Sequence, residues 1–233
     1  MSILIGRPKH TLLLKGGYVG RKSLAGERRA QIMDALYRCI SKYGLQRSTI
    51  KKIAQEAGVQ PGILHHYFKS RDEIIEKLVE RIIDDLTASY LAELRGCDDP
   101  ETRFDRAISY LFGHTASNDE FSGFFYDCWA EAKRNPRLCE KFTESFRRFR
   151  EQVVQLLAET GKSSGLSPAQ EKELANMIIA ILEGLVLLWD MDRENISPPK
   201  MARMTKRLLG LYVEDKTKTK GAKGKGGPKR RRL

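Results

Sequence analysis

Residues 48–68 read STIKKIAQEAGVQPGILHHYF, and a stretch like this can form little other than two short helices set across a tight turn. Ile50, Ile53, Ala54 and Ala57 fall at i, i+3, i+4 and i+7, one apolar helix face. Ser48 or Thr49 can cap its start, because a hydroxyl accepts an orphan backbone N–H. Gly58 stands just past its end, where a left-handed residue is wanted. Pro61 has the fixed φ of a first helical position, so a second helix starts there and ends near Phe68. Val59, Leu64 and Phe68 are spaced to plug it against the first, a helix-turn-helix pattern.

The polar residues left over say what such a unit is for. Gln60, His65, His66 and Tyr67 are donors and acceptors on a helix too small to be a core element. Lys51, Lys52 and Lys69 flank them. That is base-edge chemistry ringed by phosphate chemistry. A shared metal on His65 and His66 is the weaker reading, since adjacent helical residues point about 100° apart and no Cys or acid completes a set.

Thr49-x-x-x-Ile53-Ala54-x-x-Ala57-Gly58-Val59, followed by Gly62-x-Leu64-x-His66-Tyr67-Phe68, resembles the DNA-binding signature of the tetracycline-repressor (TetR) family. Gly62-Ile63 and His66-Tyr67-Phe68 also resemble the choline-responsive betaine regulators within it. Gln60 and His65 depart from the Ser or Thr and the Tyr usual at those places. The resemblance implies a homodimer that binds double-stranded DNA at a palindromic operator and answers to a small-molecule effector of unknown identity. The implied DNA-contacting set is Thr49, Lys51, Gln60, Pro61, Gly62, His65, His66, Tyr67 and Lys69.

The charge is polarised. The chain has 233 residues and net charge +12. Residues 216–233 carry nine basic side chains and no acid, residues 1–26 five and no acid, and residues 27–69 a net +5. Residues 70–215 are left at −7. Such a protein meets phosphate with one end only. Cys39, Cys97, Cys128 and Cys139 have no metal or CxxC spacing and read as free thiols of a reducing cytoplasm. No run approaches a signal peptide or membrane span by this reading, so the expected place is the cytoplasm, at the nucleoid, with no membrane partner.

The expected fold is all-α, with about nine helices: a flexible basic arm over residues 1–24, a three-helix DNA-binding head over 25–69, a helical effector-binding and dimerisation domain over 70–215, and a disordered Lys/Arg-rich tail over 216–233. The arm either follows DNA or is a simple leader. Ser70-x-x-Glu73 reads as a capping box opening a long helix. Asp99-Pro100, Asn135-Pro136, Ser167-Pro168 and Ser197-Pro198 mark further starts. The helix after Pro168 is apolar nearly all round, hence buried on more than one side. With the last helix it suggests a four-helix dimer interface through Ile181, Leu185, Leu188, Met204, Leu208 and Leu211.

Phe104, Phe121, Phe125, Trp129, Phe146, Glu183 and Trp189 are candidates to line an effector pocket, although aromatic stripes at helical spacing also serve as plain core. Glu183 sits inside the apolar run Ile181–Leu185. It either pairs with an Arg or Lys at the dimer interface or serves as counter-charge for a cationic ligand. No nucleophile–base pair, paired carboxylates, metal spacing or phosphate loop points to an enzyme or a cofactor. The expected function is a sequence-specific transcriptional repressor released by its ligand. The alternative is a ligand-independent DNA-coating protein driven by the basic tails.

Overall fold

The computed structural model describes residues 24–115 and 119–223. The arm up to residue 23 and the tail from residue 224 lie outside the described residues. Those described form nine α-helices and no strand: α1 Leu24–Tyr43, α2 Ile50–Glu56, α3 Pro61–Tyr67, α4 Arg71–Glu93, α5 Pro100–Thr115, α6 Asp119–Ala132, α7 Pro136–Glu159, α8 Pro168–Met191 and α9 Pro198–Lys223. A 3₁₀ turn, Leu45–Arg47, joins α1 to α2.

The starts follow local chemistry. Thr49 caps α2 by accepting the Lys52 N–H, while Ser48 is buried and donates to the Gly44 carbonyl. Asp99, Asn135 and Ser167 cap α5, α7 and α8. Ser167 and Gln170 form a full capping box. At α4 only half of the expected box is present. Ser70 accepts from Glu73 N–H, but the Glu73 carboxylate takes the Lys69 N–H at 2.6 Å instead of that of Ser70. Gly58 turns between α2 and α3 at φ +65, which a side chain would strain. The last helix continues past the end expected at Asp215, because Lys, Thr and Ala after it do not break a helix.

Burial divides the chain differently from sequence order. One core gathers Ile32, Leu36 and Cys39 of α1, Ile53 of α2, Leu64 of α3 and Phe68, together with Ile74, Ile75 and Leu78 of α4, Phe124 and Cys128 of α6, and Leu138 and Phe142 of α7. The head therefore closes its core with helices beyond residue 69. A unit of some forty residues buries too little apolar surface by itself. The second core holds Tyr90 of α4, Phe104, Ile108 and Phe112 of α5, Leu157 of α7, Leu174, Ile178, Leu182 and Leu185 of α8, and Leu209 of α9. Helices α4 and α7 run through both cores, clamped to each other by a Glu80–Lys141 ion pair.

The expectation that no run reaches membrane-span length needs correcting. Helix α8 has the length and apolarity for it, with a mean hydropathy of 1.8 over its best window. Its inner residues are instead spent in the second core, packed on α5, α6, α7 and α9. Leu185, expected at a dimer interface, is 1% exposed and belongs to that core. A spacing pattern cannot tell a face turned to a partner from a face turned to neighbouring helices.

The two short helices lead to a contrast testable by denaturant unfolding. Leu64→Ala empties a site that is 1% exposed and is expected to cost about 2–5 kcal/mol. Gln60→Ala should leave stability within about 0.5 kcal/mol, because the Gln60 side chain makes no capping bond.

Candidate functional site

Helix α3 presents Pro61, Gly62, His65 and His66 to solvent, with Gln60 and Lys69 exposed at its two ends. Leu64 and Phe68 point the other way and are buried. Tyr67 is half-buried against the head core. Thr49 and Lys51 are exposed at the start of α2. A Cβ on Gly62 would meet nothing within 4 Å, so the face is open. Glu56 is turned to α1, where Arg38 and Lys42 bind its carboxylate at 2.8 and 3.0 Å and hold its pKa below the usual value. That acid is thereby neutralised, and Glu73, whose carboxylate accepts the Lys69 N–H at 2.6 Å, is engaged at the other end of the face. What remains is a convex, acid-poor surface of imidazoles, amide and lysines, shaped and charged for a groove of duplex DNA.

The segment leading into that head is tied to α6. Asp127 accepts the Leu45 N–H at 2.9 Å, and Gln46 Nε2 donates to Glu131 at 2.5 Å. Gly44, at φ +75, brings the chain so close that a Cβ would lie 3.6 Å from the Asp127 carboxylate. Arg71 of α4 completes the clamp, its guanidinium donating to the Ser48 carbonyl at 2.7 Å and to the Leu45 carbonyl. Tyr37 of α1 rests against Phe124 of α6 with ring centroids 5.4 Å apart.

On the far side of α6, Phe125 and Tyr126 open into a cavity of about 290 Å³ between α4, α5, α6, α7 and α8. Ile83, Leu86, Thr87 and Tyr90 line it from α4, Tyr110 and Leu111 from α5, Phe142, Ser145, Phe146, Arg148, Phe149 and Gln152 from α7, and Glu183 and Val186 from α8, with Asp84 at the edge. Phe125 meets Phe142 edge-on at 5.1 Å. Glu183 makes no ion pair or hydrogen bond among the described residues. Burial pushes its carboxyl up to about 7. The Tyr126 hydroxyl is buried without a partner among the described residues, and its pKa is pushed up to about 12 by burial, then by the nearby charges of Asp190 and Glu183. An aromatic box holding one unneutralised carboxyl suits an organic cation.

Of the pocket residues expected from sequence, Phe125, Phe146 and Glu183 line this cavity. Phe104 is packed in the second core, Trp129 is half exposed with Lys133 over its ring, and Trp189 pairs with Arg193 instead. The side chain of Phe121 lies outside the described residues. Sequence reading missed Tyr90, Tyr110, Tyr126, Phe142, Phe149, Arg148 and Gln152. The i, i+4, i+7 row Phe142-Phe146-Phe149 was the signal present for part of that set. Glu183 has no Arg or Lys partner among the described residues and lines the cavity. No His/Cys/Asp/Glu group able to hold a metal occurs among the described residues.

Comparison with known proteins agrees with this geometry. Residues 32–78 match the family described as "Bacterial regulatory proteins, tetR family", and residues 100–213 match "BetI-type transcriptional repressor, C-terminal". A similar relative is the HTH-type transcriptional regulator BetI of Burkholderia thailandensis, 29% identical over 161 residues, or 69% of this chain and 80% of that one. A regulator from Saccharomonospora viridis, solved in complex with choline, shares the fold with a TM-score of 0.66 at 20% identity, covering 78% of this chain and 95% of that one. A regulator from Pseudomonas aeruginosa PAO1 reaches a TM-score of 0.72 at 16% identity, over 81% and 91%.

The Glu183 environment sets a sign for stability against pH. Its folded pKa, about 7, lies above the ordinary 4.5, so the folded chain holds this proton more tightly than the unfolded chain. Below 4.5 it takes nothing from stability, across the interval between those two values stability falls as pH rises, and above it the loss is complete. Glu183→Gln removes the titration. Relative to wild type it should be more stable by about 1–3 kcal/mol near pH 8, discounted for the water-facing cavity, and this excess should vanish in acid. Urea unfolding of both proteins across the range measures it.

Proposed function

Since the chain belongs to the tetR family of bacterial transcriptional regulators and carries a BetI-type C-terminal domain, we propose that it represses transcription as a homodimer on a palindromic operator and lets go when a small organic cation fills the cavity. Its place of work is the cytoplasm, on the chromosome. Two copies of α3 enter successive major grooves, about 34 Å apart. Gln60, His65 and His66 face base edges. Thr49, Lys51, Tyr67 and Lys69 face phosphates and, with Pro61 and Gly62 at the helix start, set the register.

One observation carries the ligand response. Neighbouring residues of α6 serve the cavity and the head: Phe125 and Tyr126 line the first, while Asp127 holds the Leu45 N–H of the second. A ligand that displaces Tyr126 moves Asp127 with it, and the head leaves the spacing that fits two grooves. The cation reading rests on Glu183, on the aromatic walls and on the choline held by the Saccharomonospora relative.

The dimer is read from α8 and α9. Leu187, Leu188 and Met191 on one and Met204, Leu208 and Leu211 on the other are exposed, an apolar stripe too long to leave in water. Ile181 and Leu185, facing the second core, support the stripe from behind. Two copies of the pair make a four-helix interface.

Three outcomes are expected. In a gel-shift titration, choline should release operator DNA from the wild type and fail to release it from Glu183→Gln. If both proteins stay bound at every concentration, the cation reading is wrong. His66→Ala should lose about 1–3 kcal/mol of operator affinity and relax sequence preference, which a competition series against single-base variants would reveal. Leu208→Glu places an unpaired charge in the stripe, so sedimentation should find monomer and the operator affinity should collapse.

A further inference from the structure

The cavity lining carries charges of both signs. Glu183 lies where α8 meets α6, with the Tyr126 hydroxyl beside it. The lining contributed by α7 carries donors. Arg148 and Gln152 stand four residues apart on α7, so one helix face brings guanidinium and amide to the same space, while the Ser145 hydroxyl beside them already donates to the Lys141 carbonyl at 2.8 Å.

Resting on the cation reading above, we infer that the effector is a zwitterion, with an alkylammonium group against Glu183 and a carboxylate against Arg148 and Gln152. Arg148 is loosely held where it stands. Its guanidinium is 3.8 Å from Asp84 and 3.6 Å from Glu144, and its side chain is half exposed. Exposed pairs at such distances contribute little. A guanidinium can exchange them for a two-point contact with a ligand carboxylate, which its planar fork fits better. The Gln152 side chain makes no hydrogen bond among the described residues and has both amide hydrogens to offer.

A compact cation would satisfy Glu183 and leave this donor row idle. At about 290 Å³ the cavity has room for a chain joining the two charges, the space of several water molecules at about 30 Å³ each. The charges also balance. The lining holds Asp84, Glu183 and Arg148; a zwitterion places one charge on each of the last two, and only Asp84 is left to solvent, where it is already exposed.

The test is a matched pair of probes, trimethylammonio-butyrate and trimethylammonio-butanol, titrated calorimetrically into the full-length protein. They share the cation and chain length and differ only in carboxylate against hydroxyl. The acid is expected to bind roughly tenfold more tightly. Arg148→Ala should bring the acid down to the alcohol's affinity, and Arg148→Lys should restore part of the preference. If the wild type binds the alcohol as tightly as the acid, or if the preference survives Arg148→Ala, the zwitterion inference is overturned while the cation reading stands. If neither probe binds, both are.

Discussion

Everything at the DNA end of this protein depends on a head that cannot close its own core. Helices α1, α2 and α3 bury their apolar faces only by borrowing Ile74 to Leu78 from α4, Phe124 and Cys128 from α6 and Leu138 and Phe142 from α7. The hydrophobic effect thus welds the head to the body over a broad area. The polar contacts then fix its angle. Asp127, Glu131 and Arg71 converge on the 3₁₀ turn that leads into the recognition unit. Buried packing gives strength, and charge-assisted hydrogen bonds give direction.

The same helix that serves the head also forms a wall of the cavity. Helix α6 is amphipathic in an unusual sense: one side goes to the head core, the next to the cavity, with Trp129 left on the outside. Packed interiors transmit displacement because they are dense. A side chain pushed at Tyr126 has no slack to absorb the movement before it reaches the next residue. The cavity is in turn costly to keep. Glu183 is stripped of part of its water with no ion pair among the described residues, where the Tyr126 hydroxyl likewise has no acceptor. Perturbed, unpaired polar groups of this kind cluster at functional sites.

Much of the architecture was legible beforehand, for identifiable reasons. Helix starts were visible because Thr49, Asp99, Asn135 and Ser167 act within their own four residues, and proline fixes φ wherever it stands. The recognition helix was visible because it is short, so every polar residue on it needed an external explanation. The 3₁₀ turn was not anticipated, since Leu45 to Arg47 owes its hold to carboxylates more than eighty positions away in sequence. The pocket was legible only in part. Phe125 and Phe146 line the cavity, whereas Phe104 and Trp189, of the same residue types and periodicity, do not.

By itself, then, the sequence determined an all-helical chain, the boundaries of most of its helices, a basic recognition unit and an acidic body, because caps, periodicity and charge are local properties that survive without a fold. Only the tertiary structure decided which apolar faces meet. It assigned Leu185 to the chain's own core, and left Leu187, Leu188 and Met191 outside. It set Glu183 against a cavity, and placed Tyr126 and Asp127 on opposite errands along one helix. Those outcomes depend on how five helices cross. A crossing angle is fixed by the shapes of both partners at once, and no window of a single strand of sequence contains both.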